Sequence, residues 1–430
     1  MPLTPPSRLP VANWARNVAY DPSRSHRPES VEELRELVRT SGRIRALGST
    51  HSFSPLIAPG GDLVWTDALP GGVAVDDGPG RPPTATVAAG MSYTDVGAAL
   101  DKAGYALGNL ASLPNITIAG ACATATHGSG DTQRCLSASV SALELVGPDG
   151  GLVELGRDTH PDTFPGAVVS LGALGIVTRM VLEVEPAYTV SQRVVLDVPL
   201  DVPMHRFDQV FGGAYSVSAF TDWNSGTARL WLKDRAGEGG PRAWTGGEAA
   251  REPVHPVPGR DPVLCTGQLG ADGPWHERLP HFLHAAAGSA PEGAGDELQS
   301  EYFLPRESAP AAIEALRGIG HLVAPVLYTS EVRSVRGDDL WLSPAYGRDS
   351  AAFHFTWVND EEALRPVIAA VEERLLPLGA RPHWAKLTHL APAELFGLYE
   401  RAADFKRLAE DLDPSGKFRN PFVDALLADV

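Results

Sequence analysis

The sequence predicts an α+β protein of two domains. Its first part alternates between helix and strand patterns, and its second part carries longer strand patterns that indicate a large antiparallel sheet. With 430 residues, 43% of them hydrophobic, the chain is long enough to bury two sizeable cores. We expect a first domain at residues 1–187 and a second at 188–384. A C-terminal segment at 385–430 should complete the active site.

The first domain opens with a helix pattern at residues 30–38. Ser30 and Glu33 form a capping box there, and apolar residues recur every three or four positions. Further along, Asp149-Gly150 supplies the positive φ angles of a tight turn between two apolar runs, which predicts a hairpin. The remaining patterns are strands at 43–47 and 84–89, a helix at 93–103 and the hairpin itself at 140–155.

From Tyr188 onward the strand patterns become longer. Two segments, 236–262 and 285–296, interrupt them and are interpreted as surface loops. The tail at 392–409 has a helical composition and stops before the turn at 413–416. The strand patterns lie at 190–198, 215–222, 227–233, 326–335 and 351–358.

The balance of 36 basic and 53 acidic residues gives a formal net charge of -17. Such a charge repels nucleic acid and anionic membranes, so we expect neither as a partner. No run approaches the roughly 18 apolar residues of a membrane span, and the N-terminus lacks a signal-peptide core, which favours a soluble, cytoplasmic protein, compatible with a monomer. The spacing of Cys122, Cys135 and Cys265 favours neither a disulfide framework nor a metal site.

A histidine stands on a short turn directly after the predicted strand at 43–47. Gly48 allows the backbone to take a positive φ angle or to approach a phosphate closely. The small Ser and Thr residues leave their N–H groups free to face an anion. Taken alone, His51 is more often a turn histidine that forms one hydrogen bond, but the same turn can hold an imidazole against a flat cofactor. The run is Arg45-Ala46-Leu47-Gly48-Ser49-Thr50-His51-Ser52.

A second run, at residues 112–130, has the complementary chemistry. Its Gly, Ser and Thr residues offer many unblocked N–H and O–H donors, which can surround a pyrophosphate without a positive side chain. The chain has neither G-x-G-x-x-G after its first strand nor G-x-x-x-x-G-K-[ST]. Rossmann and P-loop sites therefore lose their main support.

Two strands of the second domain each carry a polar pair on one face. Alternation places Glu331 beside Arg333, and it places His354 and Thr356 opposite three aromatic residues. Carboxylate, guanidinium, imidazole and hydroxyl groups together suit a polyol, since adjacent hydroxyls need donors and acceptors in fixed places. The alternative is a salt bridge on a solvated sheet face with a satisfied core histidine.

Lys386 follows Trp384, and its plain interpretation is a solvated lysine beside a packed ring. The functional interpretation is an ammonium that stabilises charge developing on a substrate oxygen. His127 and His383 are interpreted as residues that order their loops. The other histidines considered, which we expect to be incidental, are His160, His281, His321 and His389.

Together these motifs resemble the flavin-binding motifs of the vanillyl-alcohol oxidase superfamily. The resemblance rests on the His51 turn, the 112–130 loop, the run at 172–177 and the run at 381–386, and thus covers nearly the whole chain. The last run is similar to the His-Trp-Gly-Lys motif of the sugar-acting branch, from which it departs at Ala385. The similarity is strongest to bacterial alditol oxidases, which act on xylitol or sorbitol.

The resemblance implies FAD attached covalently through His51. No cysteine matches the second attachment point of bicovalent relatives, so it implies a single bond. The fold it implies is the two-domain FAD-binding fold of the superfamily, with an antiparallel sheet as substrate domain. The implied cofactor residues are Ala46, Leu47, Gly48, Ser49, Thr50, His51, Ser52, Ser112, Thr117, Ile118, Gly120, Thr124, Thr126, His127, Gly128, Gly175, Ile176, Val177, His383 and Lys386.

For activity, the resemblance implies oxidation of the terminal hydroxyl of an alditol by hydride transfer to flavin N5, with O2 reduced to hydrogen peroxide. An aldonolactone oxidase or dehydrogenase, a flavin-free carbohydrate-binding protein and a flavin-dependent isomerase are the alternatives. Which group accepts the hydroxyl proton stays open. The expected catalytic residues are Arg333, His354 and Lys386, and the expected substrate-binding residues are Ser112, Glu331, Arg333, Thr356 and Lys386.

Overall fold

The computed structural model describes residues 12–238, 246–283 and 295–428. The first part of the chain forms three sheets. The strands are β1 (Ser25–His26), β2 (Ile44–Leu47), β3 (Asp62–Trp65), β4 (Val73–Asp76), β5 (Thr84–Ala88), β6 (Tyr105–Ala106), β7 (Val140–Val146), β8 (Leu152–Gly156), β9 (Ile176–Glu183) and β10 (Glu185–Pro186). A parallel sheet has the order β1-β3-β2, an antiparallel sheet has the order β4-β5-β9-β7-β8, and β6 pairs with β10.

Local sequence accounts for the predicted elements of this part. The first helix, α1 (Val31–Thr40), begins after Ser30, whose Oγ accepts a hydrogen bond from the Glu33 amide at 3.1 Å. The β7–β8 hairpin turns at Gly150, whose φ of +78° is the left-handed angle that the Asp-Gly pattern predicts. These predictions are confirmed, with bounds that shift by a few residues at most.

The second part of the chain forms a nine-stranded antiparallel sheet, as the sequence predicts. Its strands are β11 (Thr189–Pro199), β12 (Ser216–Thr221), β13 (Thr227–Arg235), β14 (Glu248–Ala249), β15 (Asp272–Pro274), β16 (Glu297–Pro305), β17 (Leu327–Val335), β18 (Ser350–Val358) and β19 (Arg381–Pro382). They follow the order β14-β11-β13-β12-β17-β18-β16-β19, with β15 also paired to β11. The sequence reasoning missed β16, which is a central strand.

Side chains alternate between the two faces of this sheet, except at irregularities near Val195 in β11 and Leu327 in β17. In β18, Phe353, Phe355 and Trp357 are buried in a hydrophobic core with two helices, α8 (Ala309–Gly318) and α10 (Glu361–Leu375). The intervening His354 and Thr356 lie on the opposite face, which borders a cavity. The predicted separation of apolar and polar faces is confirmed.

The C-terminal helices return to the first part of the chain. Phe396, Phe405 and Leu426 belong to the same hydrophobic core as Val96 and Leu143. The remaining helices are α2 (Tyr93–Lys102), α3 (Ile118–Ala123), α4 (Phe164–Ala167), α5 (Asp201–His205), α6 (Phe207–Phe211), α7 (Trp275–Arg278), α9 (Gly320–Val323), α11 (Pro392–Gly397), α12 (Ala402–Leu412) and α13 (Pro421–Ala428).

Three details differ from the expectations. The tail at 392–409 forms two helices instead of one, and α13 follows the predicted stop. The expected loop at 236–262 contains the short strand β14, and its residues 239–245 lie outside the described residues, as do residues 285–294 of the second loop. Among the described helices, none has the length and apolar character that a bilayer crossing requires.

Candidate functional site

One large cavity lies between the turns of the first part and the polar face of the nine-stranded sheet. Its empty volume is about 2310 Å³, counted with its open mouth. The expected site residues that line it are Ala46, Leu47, Gly48, Ser49, Thr50, His51, Ser52, Ser112, Thr117, Gly120, Thr124, Thr126, His127, Gly175, Val177, Glu331, Arg333, His354, Thr356, His383 and Lys386.

Three expected cofactor residues do not line the cavity. The side chains of Ile118 and Ile176 are buried in hydrophobic cores, because the helix α3 and the strand β9 turn them inward. Gly128 lies against Asn109, whose Oδ1 would be 2.1 Å from a Cβ added there. These three residues therefore present no side chain to the cavity, and their contact with the cofactor stays a prediction.

Two contacts hold the turn that carries His51, one with the Thr117 side chain and one with the Trp14 backbone. A Cβ added to Gly48 would lie 2.3 Å from Oγ1 of Thr117, so glycine is required by the approach of the second loop. The positive φ angle expected at Gly48 occurs instead at Thr50, where it is +61°. The Thr50 carbonyl accepts a hydrogen bond from the Trp14 amide at 2.9 Å, which fixes this unusual conformation.

His51 is half-buried, and both of its ring nitrogens are buried without a hydrogen-bond partner among the described residues. The Trp14 ring stacks on it, with centroids 5.6 Å apart and planes 23° apart. Burial lowers the pKa of His51 to about 4, so the ring is neutral at pH 7. A neutral imidazole with an unpartnered nitrogen at a cavity surface fits the attachment of a flavin ring.

Arg333 is the centre of a buried cluster on the sheet. Its Nη2 donates to Oε1 of Glu301 at 2.6 Å, and its Nη1 lies 3.5 Å from Oγ of Ser112. Glu301 Oε1 also lies 3.0 Å from Nε2 of His127, whose Nδ1 donates to the Gly128 carbonyl at 2.8 Å. Burial opposes the charge on Glu301, but His127 and Arg333 outweigh it and hold the carboxyl pKa well below its usual range.

Glu331 and His281 form a second buried pair. Nε2 of His281 donates to Oε1 of Glu331 at 2.8 Å, and both side chains line the cavity. Burial lowers the pKa of His281 to about 4, so the ring is neutral. The expectation that His281 is incidental is wrong, because the ring holds the carboxylate that the sequence analysis assigns to substrate binding.

Lys386 and His354 meet at Gln299. Oε1 of Gln299 accepts from Nζ of Lys386, and it lies 3.1 Å from Nε2 of His354. Because a carbonyl oxygen can only accept, Nε2 of His354 carries the proton and Nδ1 is the nitrogen left to accept. Burial lowers the pKa of Lys386 to about 8 and that of His354 to about 3.

The segment that carries Lys386 is anchored to the His51 turn and to the sheet. The Phe53 amide donates to the Ala385 carbonyl at 2.7 Å, and the His383 amide donates to the Glu301 carbonyl at 2.9 Å. The Lys386 ammonium lies over the Phe53 ring, 4.9 Å from its centroid. Ala385, which stands where the family motif has glycine, is buried, and its carbonyl still forms the contact with Phe53.

Glu301, Gln299 and His281 are the residues of the site that sequence reasoning missed. Glu301 and Gln299 lie on β16, where Glu297-x-Gln299-x-Glu301 repeats a polar residue at every second position. That alternation is the same signal that identified Glu331 and Arg333, and it was available in the sequence. No comparable pattern marks His281, which lies in an irregular segment after α7.

Among the residues that the structure describes, the cavity surface carries neither a cysteine nor a cluster of metal-ligating side chains. None of the three cysteines lines it, and all three are buried without a disulfide. In the described parts of the chain, no group of three or more His, Cys, Asp and Glu residues is arranged to hold a metal.

Two family descriptions match the chain. "FAD binding domain" matches residues 22–156, which contain the His51 turn and the 112–130 loop. "D-arabinono-1,4-lactone oxidase" matches residues 296–426, which contain β16, β17, β18 and Lys386. Both matched ranges contribute residues to the cavity, and further lining residues, such as Trp14, Gly175 and His281, lie outside them.

Similar proteins cover the chain from end to end. An alditol oxidase of Streptomyces sp. strain IKD472 is 44% identical over 422 residues, which are 97% of this chain and 99% of that protein. Two solved structures share the fold at low identity. The cholesterol oxidase of B. sterolicum has a TM-score of 0.77 at 15% identity, covering 99% of this chain and 100% of its own. The glucooligosaccharide oxidase of Acremonium strictum, described with 6-S-cysteinyl, 8α-N1-histidyl FAD, has a TM-score of 0.75 at 16% identity, covering 97% and 93%.

The extent and level of these similarities decide the family. Identity of 44% over nearly the full length, with the FAD binding domain in place and the oxidase fold in common, agrees with the resemblance found in the sequence. The chain belongs to the vanillyl-alcohol oxidase superfamily of FAD-dependent oxidases, in the group that includes the alditol oxidase of Streptomyces.

Proposed function

We propose that the protein oxidises the terminal hydroxyl of alditols such as xylitol and sorbitol to the aldose, with FAD as the oxidant and O2 as the final electron acceptor. The observation that carries this proposal is the polar row across three strands of the sheet. His354 is paired in register with Glu301 on one side and with Glu331 on the other. The similarity to the Streptomyces alditol oxidase supports the same activity.

FAD would be held by the His51 turn and the 112–130 loop, with His51 as the point of covalent attachment. Its unpartnered nitrogens, low pKa and position at the cavity surface support this role. When bound, the flavin accepts a hydride from the substrate and returns the electrons to O2, which gives hydrogen peroxide. Trp14 supports one face of the imidazole and keeps it from rotating away.

The residues of the sheet would bind the polyol and manage its hydroxyl proton. Arg333 and Lys386 are cations beside the cavity, and they would stabilise negative charge on the reacting oxygen as the proton leaves. His354 is neutral and has Nδ1 free of its Gln299 contact, so this atom can accept a hydrogen bond or a proton from the hydroxyl. Glu331, Thr356 and Ser112 would position the remaining hydroxyls by direct hydrogen bonds.

A second candidate is an aldonolactone oxidase or dehydrogenase. The family that matches residues 296–426 carries the name of a lactone oxidase, and this region supplies most of the sheet side of the cavity. A cyclic substrate would use the same cations but would present fewer hydroxyls to Glu331 and Thr356. The acidic and amide residues along the cavity therefore favour the open-chain polyol.

Steady-state oxygen consumption by the purified holoenzyme separates the two candidates. We expect xylitol and sorbitol to be oxidised with equimolar hydrogen peroxide and an aldose product, and an aldonolactone to be turned over with much lower kcat/KM. A preference for the lactone would reject the alditol assignment. Turnover of none of these substrates by a yellow protein would reject the proposed function as a whole.

We also propose the domain bounds of the sequence analysis, 1–187, 188–384 and 385–430, with a cytoplasmic, monomeric protein. Lys386 and the C-terminal helices support a separate last segment, because they complete both the cavity and the first core. Three buried cysteines without a disulfide fit a reducing compartment. The few large exposed hydrophobic side chains of the described residues are Leu152, Val263, Leu269, Leu283 and Leu322, which fits a chain without a large apolar interface.

A further inference from the structure

Lys233 is buried behind the polar surface of the cavity and does not itself line the cavity. It lies on β13, and its side chain is among the largest fully buried ones. No carboxylate forms an ion pair with it among the described residues. A charged ammonium in such a place needs a specific set of partners, since burial is the largest of the effects that lower its pKa to about 7.

Those partners are three acceptors on one short segment. Nζ of Lys233 donates to the Leu279 carbonyl, to the Pro280 carbonyl at 3.0 Å and to Nδ1 of His281 at 3.2 Å. Three acceptors match the three N–H donors of an ammonium. A protonated lysine cannot accept a hydrogen bond, so Nδ1 of His281 is the unprotonated nitrogen of the ring whenever Lys233 carries its charge.

This contact fixes what His281 can offer to the cavity. With Nδ1 occupied as an acceptor, the ring proton is on Nε2, and Nε2 donates to Oε1 of Glu331 at 2.8 Å. The opposite tautomer would place a lone pair against the carboxylate and leave Lys233 without its third acceptor. Glu331 in turn lies 3.7 Å from Nε of Arg333, so its position affects the cation beside the substrate.

The same segment also supports Ser112. The amides of His281 and Phe282 both donate to the Ser112 carbonyl, at 3.1 Å and 3.2 Å. Lys233 therefore holds the segment 279–282, and this segment contacts both Glu331 and Ser112, which the proposed function assigns to polyol binding. The rings of Trp231 and Phe220 contact the His281 ring edge-on and limit its rotation.

We propose that Lys233 is a positioning residue that sets the tautomer of His281 and thereby the orientation of Glu331 toward the polyol. This inference rests on the proposed function, because Lys233 would affect substrate binding only through Glu331. Lys233 acts without touching substrate or cofactor, and its effect falls on binding and alignment of the polyol more than on flavin attachment.

The tautomer can be measured in the wild-type holoenzyme without any substrate. Long-range ¹⁵N–¹H spectra of histidine-labelled protein distinguish protonated from unprotonated ring nitrogens, and the signals lost in His281→Gln identify the residue. We expect an unprotonated Nδ1 and a protonated Nε2. A protonated Nδ1 would overturn the inference, whether or not the protein oxidises alditols.

Kinetics with xylitol test the link to Glu331. Lys233→Met should raise KM about tenfold or more, the effect of losing one charge-assisted hydrogen bond, with a smaller change in kcat and unchanged FAD content. In His281→Gln, the amide donates to Glu331 without any tautomer, so adding Lys233→Met should change KM by less than about twofold. Equal losses in both backgrounds would show a merely structural lysine and reject the proposal.

Two further variants guard against misfolding of Lys233→Met. His281→Asn keeps an acceptor for Lys233 but removes the donor to Glu331, so we expect its KM to rise as in Lys233→Met. We expect the KM of His281→Gln to be lower than that of His281→Asn, because only the longer amide reaches Glu331. Similar KM values for the Asn and Gln variants would contradict the inference. Absence of xylitol oxidation in the wild type would instead reject the proposed function, and the tautomer measurement would still stand.

Discussion

Lys386 and His354 share a single acceptor, Oε1 of Gln299, although they lie on different segments of the chain. The shared oxygen holds the ammonium and the imidazole side by side at the cavity. It also prevents His354 from using Nε2 as a base, which leaves Nδ1 for the substrate. Gln299 is thus the residue that couples the cation of the proposed mechanism to its candidate proton acceptor.

Replacement of Gln299 should remove both contacts at once. In Gln299→Leu we expect kcat/KM for xylitol to fall about a hundredfold, because the ammonium and the imidazole both lose their partner. FAD content should stay unchanged, since the proposed covalent bond is at His51 and Gln299 lies on the sheet side of the cavity. Stopped-flow measurement of flavin reduction, with the FAD-to-protein ratio as control, gives the answer. A variant with normal flavin reduction would show that Gln299 only fills space.

The pH dependence of kcat/KM should reflect Lys386. Its pKa is lowered to about 8, mainly by burial, with Glu301 opposing the shift and Arg333 adding to it. The ammonium is therefore present below pH 8 and lost as the pH rises through that value, so we expect kcat/KM to decline there about tenfold per pH unit. Lys386→Arg, which stays protonated, should lose this decline. If the arginine variant declined at the same pH, another group would be responsible.

The polar faces of β17 and β18 could be predicted because a strand places every second residue on the same side. Five consecutive residues were enough to place His354 and Thr356 on the face opposite the aromatic residues of β18. Glu301 carries the same kind of signal, but its strand was not recognised after a segment interpreted as a loop. His281 could not be found this way, because its contact with Glu331 joins residues 50 positions apart and no local repeat encodes it.

Motif resemblance located the cofactor segments but not the direction of each side chain. Val177 borders the cavity, whereas its neighbour Ile176 is buried in a core, since adjacent residues of β9 point to opposite faces. The positive φ angle of the first turn is a similar case. The pattern predicted it at the glycine, but the backbone takes it at Thr50, where the contact with Trp14 fixes the turn.

His51 should carry the flavin. We expect the denatured wild-type protein to have a mass increased by one FAD, and His51→Ala to lack this increase while still binding some FAD reversibly. Without the bond, the flavin potential should fall and hydride transfer from xylitol should slow. Intact-protein mass spectrometry after acid precipitation measures the bond directly. His160→Ala, which changes an exposed histidine, is the matched control and should keep the added mass. A mass increase that survives in His51→Ala would place the bond elsewhere.

Gly48 should tolerate replacement by alanine only when the Thr117 side chain is shortened as well. A Cβ at position 48 would lie 2.3 Å from Oγ1 of Thr117 but 3.5 Å from its Cβ, so the hydroxyl alone creates the clash. Gly48→Ala should therefore lower the thermal midpoint and the FAD content, because the His51 turn and the 112–130 loop must move apart. Adding Thr117→Ala removes the clashing atom and should restore most of both. Gly42→Ala, where no atom lies within 4 Å of an added Cβ, controls for the loss of glycine flexibility and should have neither effect. If the double variant were no better than Gly48→Ala, the requirement for glycine would lie in something other than this contact.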